Sequence, residues 1–479
     1  MSRRASLESF VGRRVSVIGA ARSGAAAARA LAELGAVVVL SDSKSEAQAG
    51  EAASAARRSG ARCVFGASVD EAIPEGTDLV VTSPGVPATA PVLRTAAARG
   101  LPIWSEIELG FRLTDAPILA VTGTNGKTTT TLLLAAMLRE AGKQAIVCGN
   151  VSADEIKKSL VEAARESESE DKILAAEISS FQLEWVEQFA PRVAILTNIT
   201  ADHLNRHSSL EEYAATKARV FAAQRPEDWA VVGYDNPASR TIGESGLRAR
   251  RVWFTVEGDP PDDGPCAWIA GGMLTVRLMA EDSPTGILPA NQLPDSLPGR
   301  HSVANVLAAS AAALAMGAPA RKIASAVRRF AGAAHRMERV ADVRGVRYVN
   351  NSMCTNVAAA VCSLEAMDRP SIVIAGGADK DLDFAPLVPA LHSRAKRLIL
   401  IGSAADKMEK AFRDGGYSAI SRAETLESAV EAAAAGAEPG EAVLLSPSCA
   451  SFDMFRDFEA RGEAFRQAVR RLELKEKDL

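Results

Sequence analysis

One stretch near residue 120 constrains the fold of this chain more than any other. The apolar segment 117–122 predicts a short buried strand, and residues 127–140, rich in leucine and alanine, predict a helix. Between them lies a turn with two glycines, a lysine and a run of threonines. Free backbone N–H groups at such a helix start carry the positive end of the helix dipole and bind phosphate. The pattern therefore predicts a nucleotide-binding loop in which Lys127 contacts the terminal phosphates and the Thr128 hydroxyl binds Mg²⁺.

The spacing of this loop differs from the usual P-loop. That pattern has a glycine five positions before Gly126, where this chain has Val121. The tighter loop resembles the ATP loop of the Mur ligases and the folylpolyglutamate synthases. The alternative is a glycine-rich turn with a chance lysine. We expect ATP to bind the residues of this loop, which are Gly123, Thr124, Asn125, Gly126, Lys127, Thr128 and Thr129.

Composition narrows the class of protein. A chain of 479 residues is long enough for about three domains of ~150 residues. Its 47% hydrophobic and 24% charged residues are typical of globular proteins, and a net charge of −4 disfavours binding to nucleic acid or a membrane surface. The six cysteines are scattered, no signal peptide is evident, and the uncharged run 302–320 predicts a buried helix. We therefore expect a cytoplasmic protein without a membrane span or a disulfide framework.

The N-terminal segment predicts a Rossmann-like βαβ unit. A strand at 14–19 leads through Ser23 into an alanine-rich helix, and a second strand at 36–40 ends shortly before Asp42. Ala21 occupies the place of the middle glycine in the dinucleotide fingerprint, and its methyl group obstructs a pyrophosphate, which disfavours NAD. A nucleotide sugar held by the helix start and Asp42 is the favoured ligand. A βαβ unit that binds nothing is the alternative.

Other strands are predicted to deliver polar side chains to ligand-binding edges. Ser83 follows an apolar strand at 78–82 and opens a proline-rich loop at its carboxyl end. Glu177 ends the apolar strand 173–176, and His203 follows the next strand of the chain. On neighbouring strand ends, a carboxylate and an imidazole can flank the same phosphates and bind a second Mg²⁺, partly through water.

From residue 333 onward, strands and helices alternate. This alternation predicts a parallel, doubly wound sheet whose loops meet at one crevice and form a pocket for a small carboxylate-bearing substrate. The four predicted strands are 346–349, 371–375, 397–401 and 442–445.

Motifs spread over essentially the whole chain resemble the Mur ligases, and among these the member that adds glutamate. The last two motifs are the most specific to that member. In chain order the motifs are GTNGKTT at 123–129, EISSFQLE at 177–184, NITADH at 198–203, YAATK at 213–217, HRME at 335–338, LSPSCASFDMF at 445–455 and FEARG at 458–462.

The resemblance implies a three-domain α/β ligase. Residues 1–108 form a Rossmann-like domain for the UDP-sugar, residues 109–332 a P-loop ATPase-like domain, and residues 333–479 a doubly wound Rossmann-like domain for the amino acid. The implied reaction adds D-glutamate to UDP-N-acetylmuramoyl-L-alanine through an acyl phosphate, with ATP as co-substrate, in peptidoglycan precursor synthesis. We expect the enzyme to act as a monomer.

The resemblance also assigns roles to individual residues. Catalysis falls to Lys127, Glu177, His203 and Lys217. Two Mg²⁺ ions are held by Thr128, Glu177, His203 and a carbamylated Lys217. Further ATP contacts are Asn305, Arg336 and Asn351. The UDP-sugar contacts are Ser23, Asp42, Ser83 and Asn150. The amino-acid contacts are Thr355, Lys380, Ser451 and Phe458.

One loop departs from the family pattern. Where the family reads Asn-Asp-Ser-Lys-Ala-Thr-Asn, residues 350–356 read NNSMCTN. Asn351 replaces the acid expected on the ATP ribose, and Met353 replaces a lysine near the amino-acid pocket, so we expect Lys380 to be the main cation there. Several readings remain open: the same scaffold with L-glutamate, another amino acid or a folylpolyglutamate-type acceptor, an NAD-dependent oxidoreductase, or a nucleotide-binding protein without catalysis.

Overall fold

The computed structural model describes residues 10–48, 54, 57–58, 60–151, 158–167, 172–202, 206–260, 262–379 and 382–477. Within them the strands form three sheets. The chain divides into two compact units, one of residues 1–290 and 304–327 and the other of residues 291–303 and 328–479. Across the described segments, no helix combines the length and the apolar character needed to cross a membrane.

The N-terminal sheet is parallel throughout, as the predicted βαβ unit requires. Its spatial order is third, second, first, fourth, fifth, so the order reverses beside the first strand. Ligands bind α/β sheets at such a switch point. The strands are Arg14–Ile18, Val37–Asp42, Arg62–Phe65, Leu79–Thr82 and Ile103–Ser105. The accompanying helices are Arg22–Glu33, Val69–Ala72, Pro91–Ala98 and Glu106–Arg112.

In the central sheet, the predicted nucleotide loop follows an interior strand. Strand Ile118–Thr122 is buried along its whole length and lies between parallel strands Lys172–Glu177 and Val193–Leu196. Parallel pairing brings the carboxyl ends of all three strands to one edge. The remaining strands are Gln144–Gly149, Trp229–Gly233, Arg250–Phe254, Cys266–Ala270, Met273–Arg277 and Thr285–Pro289, the last two joining by antiparallel pairing.

Helices cover the central sheet. They are Lys127–Glu140, Leu160–Arg165, Ser180–Leu183, Leu210–Ala218, Pro237–Glu244, Gly299–Ala315 and Ala320–Arg328, with 3₁₀ turns at Arg219–Phe221 and Ala290–Gln292. The predicted single helix over 302–320 is wrong, because the first helix ends at Ala315 and a second begins at Ala320. Gly317 adopts φ 78° and Pro319 lacks a backbone N–H, so neither extends the helix.

The C-terminal sheet is mostly parallel and carries one antiparallel edge strand. Strand Glu338–Val343 pairs antiparallel with the next strand, and the sequence prediction missed it together with Ile420–Arg422. Both are part-exposed edge strands without the continuous apolar run of a buried strand. The other strands are Val346–Asn350, Ser371–Gly376, Ala395–Ile401 and Ala442–Leu445. The helices are Val357–Glu365, Val388–Arg394, Ala405–Asp414, Leu426–Gly436 and Phe458–Lys477, with a 3₁₀ turn at Ala385–Leu387.

In the first unit, Glu108 joins helix Glu106–Arg112 to the segment 187–189. Its fully buried carboxylate accepts hydrogen bonds from the three consecutive backbone N–H groups of that segment at 2.9–3.1 Å. Arg112 Nε donates a further bond at 2.7 Å. These donors offset the cost of removing the carboxylate from water.

Removal of this carboxylate is expected to destabilise the first unit strongly. Glu108→Ala leaves three backbone N–H groups, including that of the buried Phe189, and the Arg112 guanidinium without this acceptor, at a cost of about 3 kcal/mol. In differential scanning fluorimetry, the first unfolding transition of the variant should occur at a lower temperature than that of the parent protein. Glu244→Ala, at an exposed helical position, is the control and should change stability by less than about 0.5 kcal/mol. Equal melting curves for both variants would contradict the role assigned to Glu108.

Candidate functional site

The loop before helix Lys127–Glu140 requires glycine at two positions. Gly123 and Gly126 adopt φ 141° and 83°. A Cβ on Gly123 would lie 1.9 Å from Thr197 Oγ1, and one on Gly126 would lie 2.3 Å from Asn305 Oδ1. No side chain caps the start of the helix. The first N–H groups of the helix are therefore suited to bind an anion.

Residues 197–200 support this loop from behind. Thr124 N donates to Asn198 O at 2.8 Å, and Asn125 N donates to Asn198 Oδ1 at 3.0 Å. Thr197 Oγ1 donates to Asn125 O at 2.6 Å, and Thr200 N donates to Thr124 Oγ1 at 3.0 Å. These bonds fix the loop backbone before any ligand arrives. The sequence prediction placed this motif beside the phosphates and did not anticipate its bracing role.

Glu177 faces the helix start from the end of its strand. Its side chain is 3% exposed, Oε2 accepts a 2.6 Å hydrogen bond from Thr128 Oγ1, and Oε1 accepts a 3.3 Å bond from Asn150 Nδ2. A hydroxyl and a carboxylate are oxygen ligands of the kind that Mg²⁺ prefers. The described residues contain no group of three or more His, Cys, Asp or Glu side chains arranged to hold a metal. His203, the predicted partner of Glu177, lies outside the described residues.

Two lysines flank the loop. Lys127 Nζ donates to Thr124 O at 2.8 Å. Lys217 Nζ donates to Gly123 O at 2.8 Å, lies 4.6 Å from the ring centroid of Tyr213, and belongs to a side chain that is only 1% exposed. Burial, and then the neighbouring Lys127 ammonium, lower the pKa of Lys217 well below its ordinary value. Lys217 carries no distinguishing pattern in the sequence, yet it is a desolvated amine beside the loop.

A cavity of about 710 Å³ opens at the carboxyl edge of the N-terminal sheet. Helix Arg22–Glu33 begins beside it without a side-chain cap. All four residues predicted to contact the UDP-sugar line this cavity, namely Ser23, Asp42, Ser83 and Asn150. Asn150 also donates to Glu177, so one side chain links the cavity to the carboxylate beside the nucleotide loop.

Two of these side chains shape the turn at the start of the βαβ unit. Ser83 Oγ donates to Gly19 O at 2.8 Å, and Asp42 Oδ2 accepts from Ala20 N at 2.7 Å. A Cβ on Gly24 would lie 1.8 Å from Gly19 O, so the helix can approach the strand only with glycine there. Ser83 and Asp42 therefore hold the backbone that lines the cavity.

Arg206 was not singled out by the sequence prediction. Its guanidinium binds Glu184 through two bonds, Nε to Oε1 at 2.9 Å and Nη2 to Oε2 at 2.7 Å. Nη2 also donates to the carbonyl of Val86, which lines the cavity, at 2.7 Å. The pair thus joins the cavity loop to the central sheet. Glu184 ends the EISSFQLE motif, but only the folded chain brings Arg206 to it.

The second unit contains the other predicted ligand residues. Thr355 follows strand Val346–Asn350, Ser451 follows strand Ala442–Leu445, and Phe458 begins helix Phe458–Lys477. Lys380, the predicted cation of the amino-acid pocket, lies outside the described residues.

Arg336 lies in a strained turn of the second unit. His335 and Met337, on either side of it, adopt positive φ angles of 59° and 45°, which are rare for residues with a Cβ. Asn351 Oδ1 accepts from Met337 N at 3.2 Å, and Met353 N donates to His335 O at 3.0 Å. Asn351, predicted to contact ATP, therefore braces the turn that presents Arg336.

Comparison with protein families matches three consecutive parts of the chain. Residues 13–105 match the Mur ligase MurD-like N-terminal domain. Residues 121–313 match the Mur ligase middle domain, and residues 335–449 match the Mur ligase glutamate ligase domain. The first matched segment contains all residues that line the 710 Å³ cavity except Asn150, the second contains the nucleotide loop, and the third contains the six strands of the C-terminal sheet.

Related proteins and solved structures agree with these matches. The UDP-N-acetylmuramoylalanine–D-glutamate ligase of Pelotomaculum thermopropionicum is 41% identical, covering 97% of this chain and 98% of that protein. The protein of the same name from Geobacillus kaustophilus is 38% identical, covering 96% and 98%. The fold resembles UDP-N-acetylmuramate–alanine ligase MurC from Thermotoga maritima, with TM-score 0.58 and 18% identity over 96% and 99% of the two chains. The chain belongs to the Mur ligase family.

Proposed function

We propose that this chain is an ATP-dependent ligase that joins D-glutamate to UDP-N-acetylmuramoyl-L-alanine in peptidoglycan precursor synthesis. The observation that carries the proposal is similarity over nearly the full length, at 36–41% identity, to proteins named for that activity. The nucleotide loop with Glu177 and Lys217 around it supports catalysis rather than binding alone. The N-terminal Rossmann-like sheet before that loop disfavours a folylpolyglutamate synthase.

ATP would bind with its terminal phosphates at the start of helix Lys127–Glu140. Lys127 Nζ, which donates to the loop carbonyl of Thr124, is close enough to turn to a phosphate oxygen. The terminal carboxylate of the UDP-sugar substrate would attack the γ-phosphorus, and the bond from that phosphorus to ADP would break. The amine of D-glutamate would then attack the acyl carbon, and phosphate would leave. The helix N–H groups and Lys127 stabilise the charge on the transferring oxygens.

Magnesium is implied by the family, and the residues present suit it. Thr128 Oγ1 and the Glu177 carboxylate would hold one ion, with the remaining positions taken by phosphate and water. The roles of His203 and Lys217 at a second ion rest on the family resemblance. Magnesium bound there would neutralise charge on the phosphoryl oxygens.

Lys217 would contribute to this site as a carbamate. Its depressed pKa, caused first by burial, favours the neutral amine, which is the form that reacts with CO₂. Attack of Nζ on the carbon of CO₂, with loss of one proton, gives an N-carboxylate. An anion at this position would be attracted to a magnesium ion, whereas an ammonium would be repelled.

The UDP-sugar would occupy the 710 Å³ cavity, with its diphosphate at the uncapped start of helix Arg22–Glu33. The amino-acid contacts and the ATP contacts Arg336 and Asn351 would belong to the second unit, whereas the ATP contact Asn305 belongs to the first. In this proposal the three sheets are three domains with boundaries near residues 108 and 332, and the enzyme acts as a monomer.

Phosphate release tests the proposed function. The intact chain with ATP, Mg²⁺ and UDP-N-acetylmuramoyl-L-alanine should release phosphate with D-glutamate, and mass spectrometry should detect the amide product. L-glutamate, D-aspartate and D-glutamine complete the acceptor panel. Lys127→Ala should lower the rate by ~10²–10³ or more, because a preorganised contact to the transferring phosphate is lost. Lys322→Ala, at a part-exposed lysine of the same unit, is the control. Faster release with another acceptor than with D-glutamate would overturn the proposed specificity.

A second prediction concerns the fit of the loop backbone. Gly126→Ala should weaken ATP binding by about tenfold or more, because its Cβ would collide with Asn305 Oδ1. Gly142→Ala is a matched control, since Gly142 adopts nearly the same φ of 82° but its added Cβ has no atom within 4 Å. Titration with a fluorescent ATP analogue measures both variants. Equal losses would assign the effect to φ strain and not to the contact with Asn305.

A third prediction concerns the carbamate. Protein equilibrated with ¹³C-bicarbonate should show one carbamate resonance that disappears in Lys217→Ala and persists in Lys410→Ala, whose side chain is 78% exposed. The Lys217→Ala enzyme should be nearly inactive, and an added small carboxylate such as formate should restore part of its activity. An active alanine variant without a carbamate resonance in the parent protein would refute the modification.

A further inference from the structure

Arg461 is the largest fully buried side chain in the described part of the chain. It lies in the first turn of helix Phe458–Lys477 and is 1% exposed. Within the described residues, no aspartate or glutamate forms an ion pair with it. Charged side chains are almost never buried without a partner, so this one requires an explanation.

The guanidinium joins two loops at the carboxyl edge of the C-terminal sheet. Nε donates to Ser352 Oγ at 3.0 Å, and Nη2 donates to Ser352 O at 2.8 Å. Nη1 donates to the carbonyls of Cys449 and Ala450 at 3.2 and 3.3 Å. Neutral oxygen atoms therefore accept its hydrogen bonds, and Asp453, whose carboxylate raises the pKa of Arg461, forms no ion pair with it in the described structure.

These loops carry the residues assigned to the amino acid. Ser352 precedes Thr355 in one loop, and Ala450 directly precedes Ser451 in the other. The Ser352 hydroxyl also donates to the carbonyl of Phe458 at 2.8 Å. Hydrogen bonds of Arg461 and Ser352 thus connect the two loops that carry Thr355 and Ser451 with the start of the helix at Phe458.

A third loop packs on the same group. Ala378 N donates to Ala450 O at 2.8 Å. A Cβ on Gly377 would lie 2.2 Å from that carbonyl and 3.1 Å from Arg461 Nη1, so only glycine allows this approach. The guanidinium therefore lies where three loops meet, each of which follows a strand of the C-terminal sheet.

The charge persists despite burial. Burial lowers the pKa of Arg461 to about 10, which leaves the side chain protonated at neutral pH. A cation in a poorly solvated site favours an anion bound nearby more strongly than a surface cation does. Met353, where the family has lysine, removes one competing cation from the same loop.

We propose that Arg461 is a positioning residue for the acceptor amino acid, and that its buried charge favours an acidic acceptor over a neutral one. The proposal rests on the proposed ligase function. It differs from a purely structural role because it predicts a change in acceptor preference and not only in stability.

Steady-state kinetics of the full chain test the proposal with D-glutamate and its neutral isostere D-glutamine. Arg461→Gln should raise the KM for D-glutamate about tenfold and reduce the preference for D-glutamate about tenfold, with the KM for ATP changed less than about twofold. Arg461→Lys keeps the charge but loses the planar fork, so it should raise the KM while retaining the preference. Ser352→Ala should behave like Arg461→Lys. Arg456→Gln, at an arginine that is 84% exposed, is the control.

Two results would overturn the proposal. One is an Arg461→Gln enzyme with unchanged KM and preference, and the other is a loss of preference in Arg461→Lys equal to that in Arg461→Gln. If circular dichroism shows that the Arg461 variants do not fold, Ser352→Ala decides. A raised KM for D-glutamate with an unchanged KM for ATP supports the proposal, and wild-type kinetics refute it. A parent enzyme that releases no phosphate with D-glutamate would instead refute the ligase function.

Discussion

Hydrogen bonds between residues 124–125 and residues 197–200 hold the nucleotide loop in a conformation that its own residues do not enforce. Unpaired N–H groups at a helix start bind phosphate well only if the backbone is already fixed, because ordering it on binding costs free energy. Two parallel strands, Ile118–Thr122 and Val193–Leu196, place the two segments side by side. The central sheet is therefore a precondition of the nucleotide site.

The same edge of the sheet collects charges of opposite sign. Glu177 accepts from Thr128 and Asn150, whereas Lys217 reaches the loop carbonyl of Gly123 from the opposite side. Because Lys217 is desolvated, its pKa lies well below its ordinary value. Asn150 also lines the 710 Å³ cavity, so a single side chain links that cavity to the Glu177 carboxylate.

In the second unit, a buried cation holds functional loops in place. Arg461 binds the loops at the ends of strands Val346–Asn350 and Ala442–Leu445 through carbonyl and hydroxyl oxygens. Asn351 supports the neighbouring turn at His335 and Met337, whose positive φ angles need outside support. In both units, a polar side chain from a distant part of the chain fixes a functional loop.

Sequence alone determined the strands, the helix starts and the family, because apolar periodicity and glycine spacing are local properties. It predicted helix Lys127–Glu140 and the strand that ends at Glu177, and it grouped four side chains that the fold brings to the lining of one cavity, namely Ser23, Asp42, Ser83 and Asn150. It missed the edge strands, whose residues are part-exposed and lack a clear pattern, and the break near Gly317. Only the tertiary structure identified Lys217 as buried, Arg206 as the partner of Glu184, and Arg461 as a cation between two loops. Burial and long-range pairing depend on which segments fold together, and no local pattern encodes them.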